Sequence, residues 1–404
     1  MLKSKQQDFL FALSAILVFS IVVVLVPIYD TQNGLHNIFF DNYKIVWADG
    51  RSPSNFAIIK NIINGKDISF PPDFVFRDVA AKDNYDFFEN NGKYYPLFNY
   101  RPVVLFSIIL KPFSFGSDLI LYKSILFLVL VFFAATLFIF YFIQKKLGLK
   151  PVTAFFSTLT AGLATSIFIY SHYFFLTEVL TVFLFFIFLF FVLKYWRKNS
   201  NIASYLIPLS FSIFLFFFIA STSLFLLFLV MLLYFLYFKN RTFSSLKIFL
   251  IISFSIFIFS FFLVSFEFKI NIFTSSGFSE FSIFQIFPNY LNADDYAIYG
   301  YHNVSSLKDR TFSYIYGFEQ NPGNAIFIHT VGFFGTLFSE KGFIYNSSFL
   351  IFSFFGALYY KEKQKRNFLL TFIILYIFLL SANFVWYGGV IPRYVMKLIS
   401  IIFI

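Results

Sequence analysis

The sequence predicts an all-α, polytopic bundle of membrane-spanning helices. Hydrophobic residues fill 59% of the 404 positions and charged residues only 13%. The mean hydropathy of +0.77 describes more apolar surface than a soluble fold of this size can keep from water. Apolar runs of about 20 residues recur along the chain, each long enough to cross roughly 30 Å of hydrocarbon as a helix. These runs are apolar on every side, whereas the strands of a membrane barrel alternate over about 10 residues.

Spans are expected at 9–27, 118–143, 151–170, 173–195, 202–219, 221–238, 245–266, 343–360 and 367–385. A last one begins near 392 and meets the end of the chain before it could cross, so a truncated chain is expected. The first run, Phe9 to Val26, is too long for a signal-peptide core and lacks a small-residue cleavage site. It is read as the first span. No linker or internal repeat divides the chain, so residues 1–404 are expected to form one domain of about ten spans.

Short basic loops set the topology. Lys3 and Lys5, Lys145 to Lys150, Lys194 to Lys198, Lys239 to Arg241 and Lys361 to Arg366 fall on one side if residues 101–115 do not cross. That segment holds Arg101, Pro102, Lys111 and Pro112 and suits an interfacial helix. The basic side is expected to be cytoplasmic, with the N-terminus. It carries 15 Lys and Arg, Lys247 included, against Asp8 and Glu362. The net charge of +11 is then a topology signal and not a nucleic-acid signature. Cysteine is absent, which excludes disulfides and thiolate chemistry.

Polar chemistry is left to the opposite face, in loops 28–117 and 267–342, because charge is costly within hydrocarbon. Residues 53–63 read as a surface helix: Pro53 suits a first turn, and Phe56, Ile59 and Ile63 recur at helical spacing. Asp49 sits just ahead of it, where the helix dipole favours a carboxylate; its plain alternative is a loop or capping acid. Asp30, directly after the first span, is the second candidate. Glu178 lies just inside the mouth of its span, where an acid is a functional candidate by default; a structural hydrogen bond is the alternative. His172 shares that mouth, and interfacial solvation is its plain reading. Near the chain's end, Trp386-Tyr387-Gly-Gly leads to Pro392-Arg393-Tyr394. The glycine pair admits close backbone approach, and the Arg393 fork suits a phosphate. Belt aromatics and a snorkelling anchor are the alternatives.

Taken in order, these segments resemble the GT-C superfamily of membrane glycosyltransferases. They are the Asp-bearing first loop with its amphipathic helix, Asn91-Gly-Lys-Tyr-Tyr95, Ser171-x6-Glu178, Ser339-Glu-Lys341-Gly342 and Trp386-Tyr-Gly-Gly…Pro-Arg393-Tyr. The likeness is greatest to bacterial and archaeal proteins akin to protein O-mannosyltransferases and lipid A aminoarabinose transferases. It implies sugar transfer from a polyprenyl-phosphate donor to a lipid, glycan or protein acceptor, on the extracytoplasmic face of the cytoplasmic (inner) membrane. It implies a catalytic role for Asp49 or Asp30, with Glu178 beside them. It places Arg101, Lys341 and Arg393 in substrate binding, and Trp386, Tyr387, Tyr394 and His172 are substrate-binding candidates beside them. A divalent cation fits such chemistry, yet no ligand spacing marks a metal site. The competing class is a transporter or flippase for a lipid-linked or amphipathic solute. Transporters favour polar, broken-helix features at the bilayer midplane, often in repeated halves, and the mid-span polar residues here are mostly Ser and Thr.

Overall fold

The computed structural model describes residues 2–30, 34–36, 39, 52–76, 79–81, 87–90, 92–96, 100–113, 115–173 and 176–195. Beyond these it describes only 358, 363, 366, 367, 370, 371 and 374. The spans expected over 202–266 and the loop 267–342 therefore lie outside the described residues, as do those expected over 343–360 and 367–385 apart from these few positions.

Helix α1, Leu2–Leu25, and helix α4, Asp118–Leu147, cover the first two expected spans. Among the described residues, Lys5–Leu25 and Asp118–Leu147 are long and apolar enough to cross a membrane. The α4 boundaries follow from local chemistry. The Ser117 hydroxyl accepts a hydrogen bond from the Ile120 amide, and Asp118 occupies the first turn, where the helix dipole favours an acid. The helix runs past the expected end at 143 because Gln144, Lys145 and Lys146 are good helix formers. It stops at Gly148, whose φ of +99° only glycine adopts readily and whose N–H returns to the Gln144 and Lys145 carbonyls.

The span expected over 151–170 is interrupted. Helix α5, Pro151–Leu163, ends at Ala164, and a short helix α6, Ser166–Tyr170, begins after it. The Thr165 hydroxyl donates to the Ala161 carbonyl and accepts from the Ile167 amide. It gives the backbone a local alternative to the helical ladder and restarts the helix. Helix α7, Leu176–Tyr195, covers the next expected span.

Helices α1, α4 and α5 pack closely through small residues. Ala12, Tyr141 and Ala154 form one buried cluster. Further along, a Cβ added at Gly162 would come within 2.8 Å of both Leu137 and Phe19. Lipid is as apolar as these side chains, so close packing holds such helices together more than burial does. The pairings also fix direction. From Ala12 to Phe19 on α1, and from Ala154 to Gly162 on α5, the matching α4 residues run backward from Tyr141 to Leu137. Thus α4 is antiparallel to α1 and α5. One end of the bundle then gathers Lys5, Asp8, Lys145, Lys146 and Lys150. There the Asp8 carboxylate lies 3.2 Å from the Lys145 ammonium and 3.3 Å from the Tyr141 hydroxyl, which donates to it.

The other end carries the first loop. Its surface helix α2, Ser52–Ile63, forms where the sequence places it. Phe56, Ile58 and Ile59 are buried, while the exposed Lys60 meets Asp118 at 2.8 Å, at the start of α4. Helix α3, Tyr100–Leu110, is about 16 Å long and too short to cross. It buries Val103, Phe106, Ser107 and Leu110, a single helical face. The all-α expectation is modified by three two-stranded antiparallel hairpins in this loop. They pair β1 (Ile28–Asp30) with β2 (Gly34–His36), β3 (Val75–Phe76) with β4 (Val79–Ala80), and β5 (Phe87–Asn90) with β6 (Lys93–Pro96). The last turns at Gly92, which takes φ +72°, and its sequence, Asn91-Gly92, is a dipeptide suited to tight hairpins.

Candidate functional site

Four of the expected site residues lie within the described backbone. Asp30 is the last residue of β1, directly beyond α1. Glu178 is the third residue of α7, and His172 sits in the turn between α6 and α7. Arg101 is the second residue of α3.

His172 ties these parts together. It is fully buried, 0% exposed. Its Nε2 lies 2.8 Å from the Val23 carbonyl oxygen, and its Nδ1 lies 2.9 Å from that of Phe168. A carbonyl only accepts and a neutral imidazole carries one N–H, so the tautomer decides which of the two carbonyls receives a hydrogen bond, and both receive one when the ring is protonated. The ring also meets Phe39, just after β2, edge-on with centroids 6.2 Å apart. Interfacial solvation, the plain reading of this residue, is corrected by its burial: both ring nitrogens face backbone oxygens. The end of α1, the exit of β2 and the approach to Glu178 are thereby held at one place.

The helix bearing Arg101 belongs to the same assembly. Helix α3 packs against α2 and α7, and α7 against α4. Phe106 of α3, Phe132 of α4 and Phe183 of α7 form an aromatic chain with centroids 5.4 and 5.3 Å apart. Such pairs are worth about 0.5–1.5 kcal/mol each beyond area burial.

One feature escaped the sequence reading. Ser54, in the first turn of α2, is buried, and its hydroxyl has no hydrogen-bond partner among the described residues. An unsatisfied buried hydroxyl costs about 1–3 kcal/mol, so its presence needs a reason. Only its place five residues after Asp49 was a signal.

Asp49, Lys341, Trp386, Tyr387, Arg393 and Tyr394 lie outside the described residues. Among the described residues no three His, Asp or Glu side chains gather as a metal site.

No family model and no curated protein matches the chain. Two crystal structures of the Archaeoglobus fulgidus oligosaccharyltransferase do. Its apo form matches with a TM-score of 0.54 and 14% identity, covering 96% of this chain and 50% of that one. The same enzyme, tethered by a disulfide to an acceptor peptide containing an NVT sequon, matches with a TM-score of 0.55 and 14% identity, over 96% and 49% of the two chains. This chain therefore spans about half the length of that enzyme. At such identity the likeness is one of architecture: the chain shares the fold of the matched half of that enzyme.

Proposed function

We propose that the protein transfers a sugar from a polyprenyl-phosphate donor to an acceptor hydroxyl or amide at the extracytoplasmic face of the membrane. The observation that carries this reading is the gathering of the segments bearing Asp30, His172 and Glu178 at the loop-bearing end of the bundle, on a fold shared with an oligosaccharyltransferase.

The chemistry assigns the roles. A carboxylate of the first loop, Asp49 or Asp30, takes the acceptor proton. The acceptor atom bonds to sugar C1 as the bond from C1 to the phosphate oxygen breaks, and its electron pair leaves with the lipid phosphate. Arg101, Lys341 and Arg393 meet that charge, since preorganised cations are most effective where charge develops. Trp386, Tyr387 and Tyr394 border the sugar. Glu178 serves as a second carboxylate of the site, and His172 acts by holding the end of α1 in place. The prenyl tail lies along apolar helix surface. The basic end of the bundle, with Lys5, Lys145 and Lys146, faces the cytoplasm.

The test is direct. Purified protein is incubated with a panel of polyprenyl-phosphate sugars, and released lipid phosphate is scored. Release that depends on Glu178 supports the reading, and no release from any donor contradicts it.

A further inference from the structure

A groove runs between α1 and α4 on the loop-bearing half of the bundle. Ser20, Val24 and Leu25 of α1 line it with Phe127, Leu130 and Ala134 of α4. It encloses about 490 Å³, within the size range of small-molecule sites. Leu25 and Phe127 are 62% and 59% exposed, so the groove opens away from the bundle, toward hydrocarbon. Its head is a cation. Lys123, in the second turn of α4, stands four, seven and eleven residues before Phe127, Leu130 and Ala134. That is the spacing of one helical face, and further along the same face Tyr141 meets Asp8 of α1. Lys123 therefore continues the α1-facing wall of the groove toward the mouth. Its side chain is half-buried. Helical side chains lean toward the helix N-terminus, here the loop-bearing end, so its stem follows the apolar wall and its ammonium reaches for the surface. A lysine inside a span is a functional candidate by default. Lys123 already interacts within the fold; an ammonium has three donors and can meet a phosphate as well.

We propose that this groove seats the isoprenoid chain of a polyprenyl phosphate, with Lys123 on its phosphate. The proposal rests on the transferase reading above, whose donor it places. The match is one of charge and polarity. Any apolar chain could lie in a lipid-facing groove, but a groove headed by a cation suits a molecule with one anionic end and one long apolar tail. A bilayer phospholipid has two chains to place, and one groove between two helices takes one. The seat also orients the donor. Helix α1 leads directly into the first loop, and Asp30 follows Leu25 by five residues, so a chain held here presents its phosphate at the loop-bearing end.

Full-length protein in phosphatidylcholine nanodiscs is incubated with a polyprenyl monophosphate carrying a diazirine near its phosphate end, and the crosslinked peptides are mapped. Crosslinks should fall within 20–25 and 127–134. Unlabelled polyprenyl monophosphate should displace the probe, and polyprenol or phosphatidylglycerol should need about 10-fold more. Lys123→Met should weaken binding by about 10-fold, and Lys123→Arg should keep most of it, since either cation meets a phosphate. Ala134→Phe fills the groove away from the charge and should also weaken binding; it tests the site even if Lys123→Met fails to fold. Crosslinks elsewhere, equal displacement by polyprenol, or wild-type binding in Lys123→Met or in Ala134→Phe would overturn the proposal. Equal displacement by phosphatidylglycerol would overturn it too, leaving a surface for bilayer lipid only. Failure of the transferase reading has a different signature. The probe then binds through Lys123 and the groove although wild-type protein releases lipid phosphate from no sugar donor, and the lipid-phosphate site stands without the transfer.

Discussion

His172 Nε2 faces the Val23 carbonyl, from which Pro27 withholds a donor. In a continuing helix the Val23 carbonyl would accept from the amide of residue 27, and proline has no N–H. The Val22 carbonyl keeps its partner in the Val26 amide at 2.8 Å, whereas Val23 is met by His172 Nε2 at 2.8 Å. A substitution that frees one end of α1 is thus matched by a side chain 149 positions away.

That relationship makes a double-mutant prediction. His172→Ala leaves a buried carbonyl unsatisfied and should destabilise the protein by about 1–3 kcal/mol. Pro27→Ala restores a backbone donor to Val23 and should recover part of that loss in the double variant. Thermal unfolding in detergent measures the coupling, expected at about 0.5–2 kcal/mol. Strictly additive effects would mean that the two residues do not share this carbonyl.

Gly162 makes the second prediction. A methyl group there would meet Leu137 and Phe19 at 2.8 Å, and the Phe19 ring is fully buried. Gly162→Ala should force α5 away from α1 and α4 and cost about 1–3 kcal/mol. Leu137→Ala should relieve only the α4 side. An unchanged unfolding temperature in Gly162→Ala would refute the close three-helix contact.

These two residues also show what was legible in the sequence. Surface helix α2 was expected at 53–63 and found at Ser52–Ile63, since Pro53 and the spaced apolar residues are local signals. Helix α3 was readable from its shortness and its Arg-Pro start. The interruption at Thr165 was not, because Ser and Thr are common in spans and only the competing hydroxyl bonds reveal it. The hairpin at Asn91-Gly92 had a local signal that the apolar background obscured. Asp30, Arg101 and Glu178 stood out by charge against hydrocarbon. The partner of His172 did not, because it depends on long-range contact.

Ser54 separates folding from function. Its buried hydroxyl has no partner among the described residues, so Ser54→Ala should leave stability unchanged or raise it by about 1 kcal/mol. If the hydroxyl meets the acceptor or donor, turnover should fall at the same time. A loss of stability in Ser54→Ala would show that the hydroxyl is satisfied within the fold.

Topology is tested by single cysteines on this cysteine-free chain. Lys146 and Lys93 are both exposed and belong to opposite ends. An impermeant thiol reagent applied to intact cells should label Lys93→Cys and spare Lys146→Cys. The reverse pattern would place the first loop in the cytoplasm.

The central claim is sugar transfer at the loop-bearing end, and lipid-phosphate release from a polyprenyl-phosphate sugar tests it most directly. Wild-type protein should release lipid phosphate from at least one donor in the panel. Glu178→Gln and Asp30→Asn should cut that release by about 100-fold while keeping wild-type expression and a single symmetric elution peak. Arg393→Ala should weaken both donor binding and turnover, with only partial recovery in Arg393→Lys, because an ammonium lacks the guanidinium fork. Absence of release from every donor, or equal release from wild type and Glu178→Gln, would contradict the account.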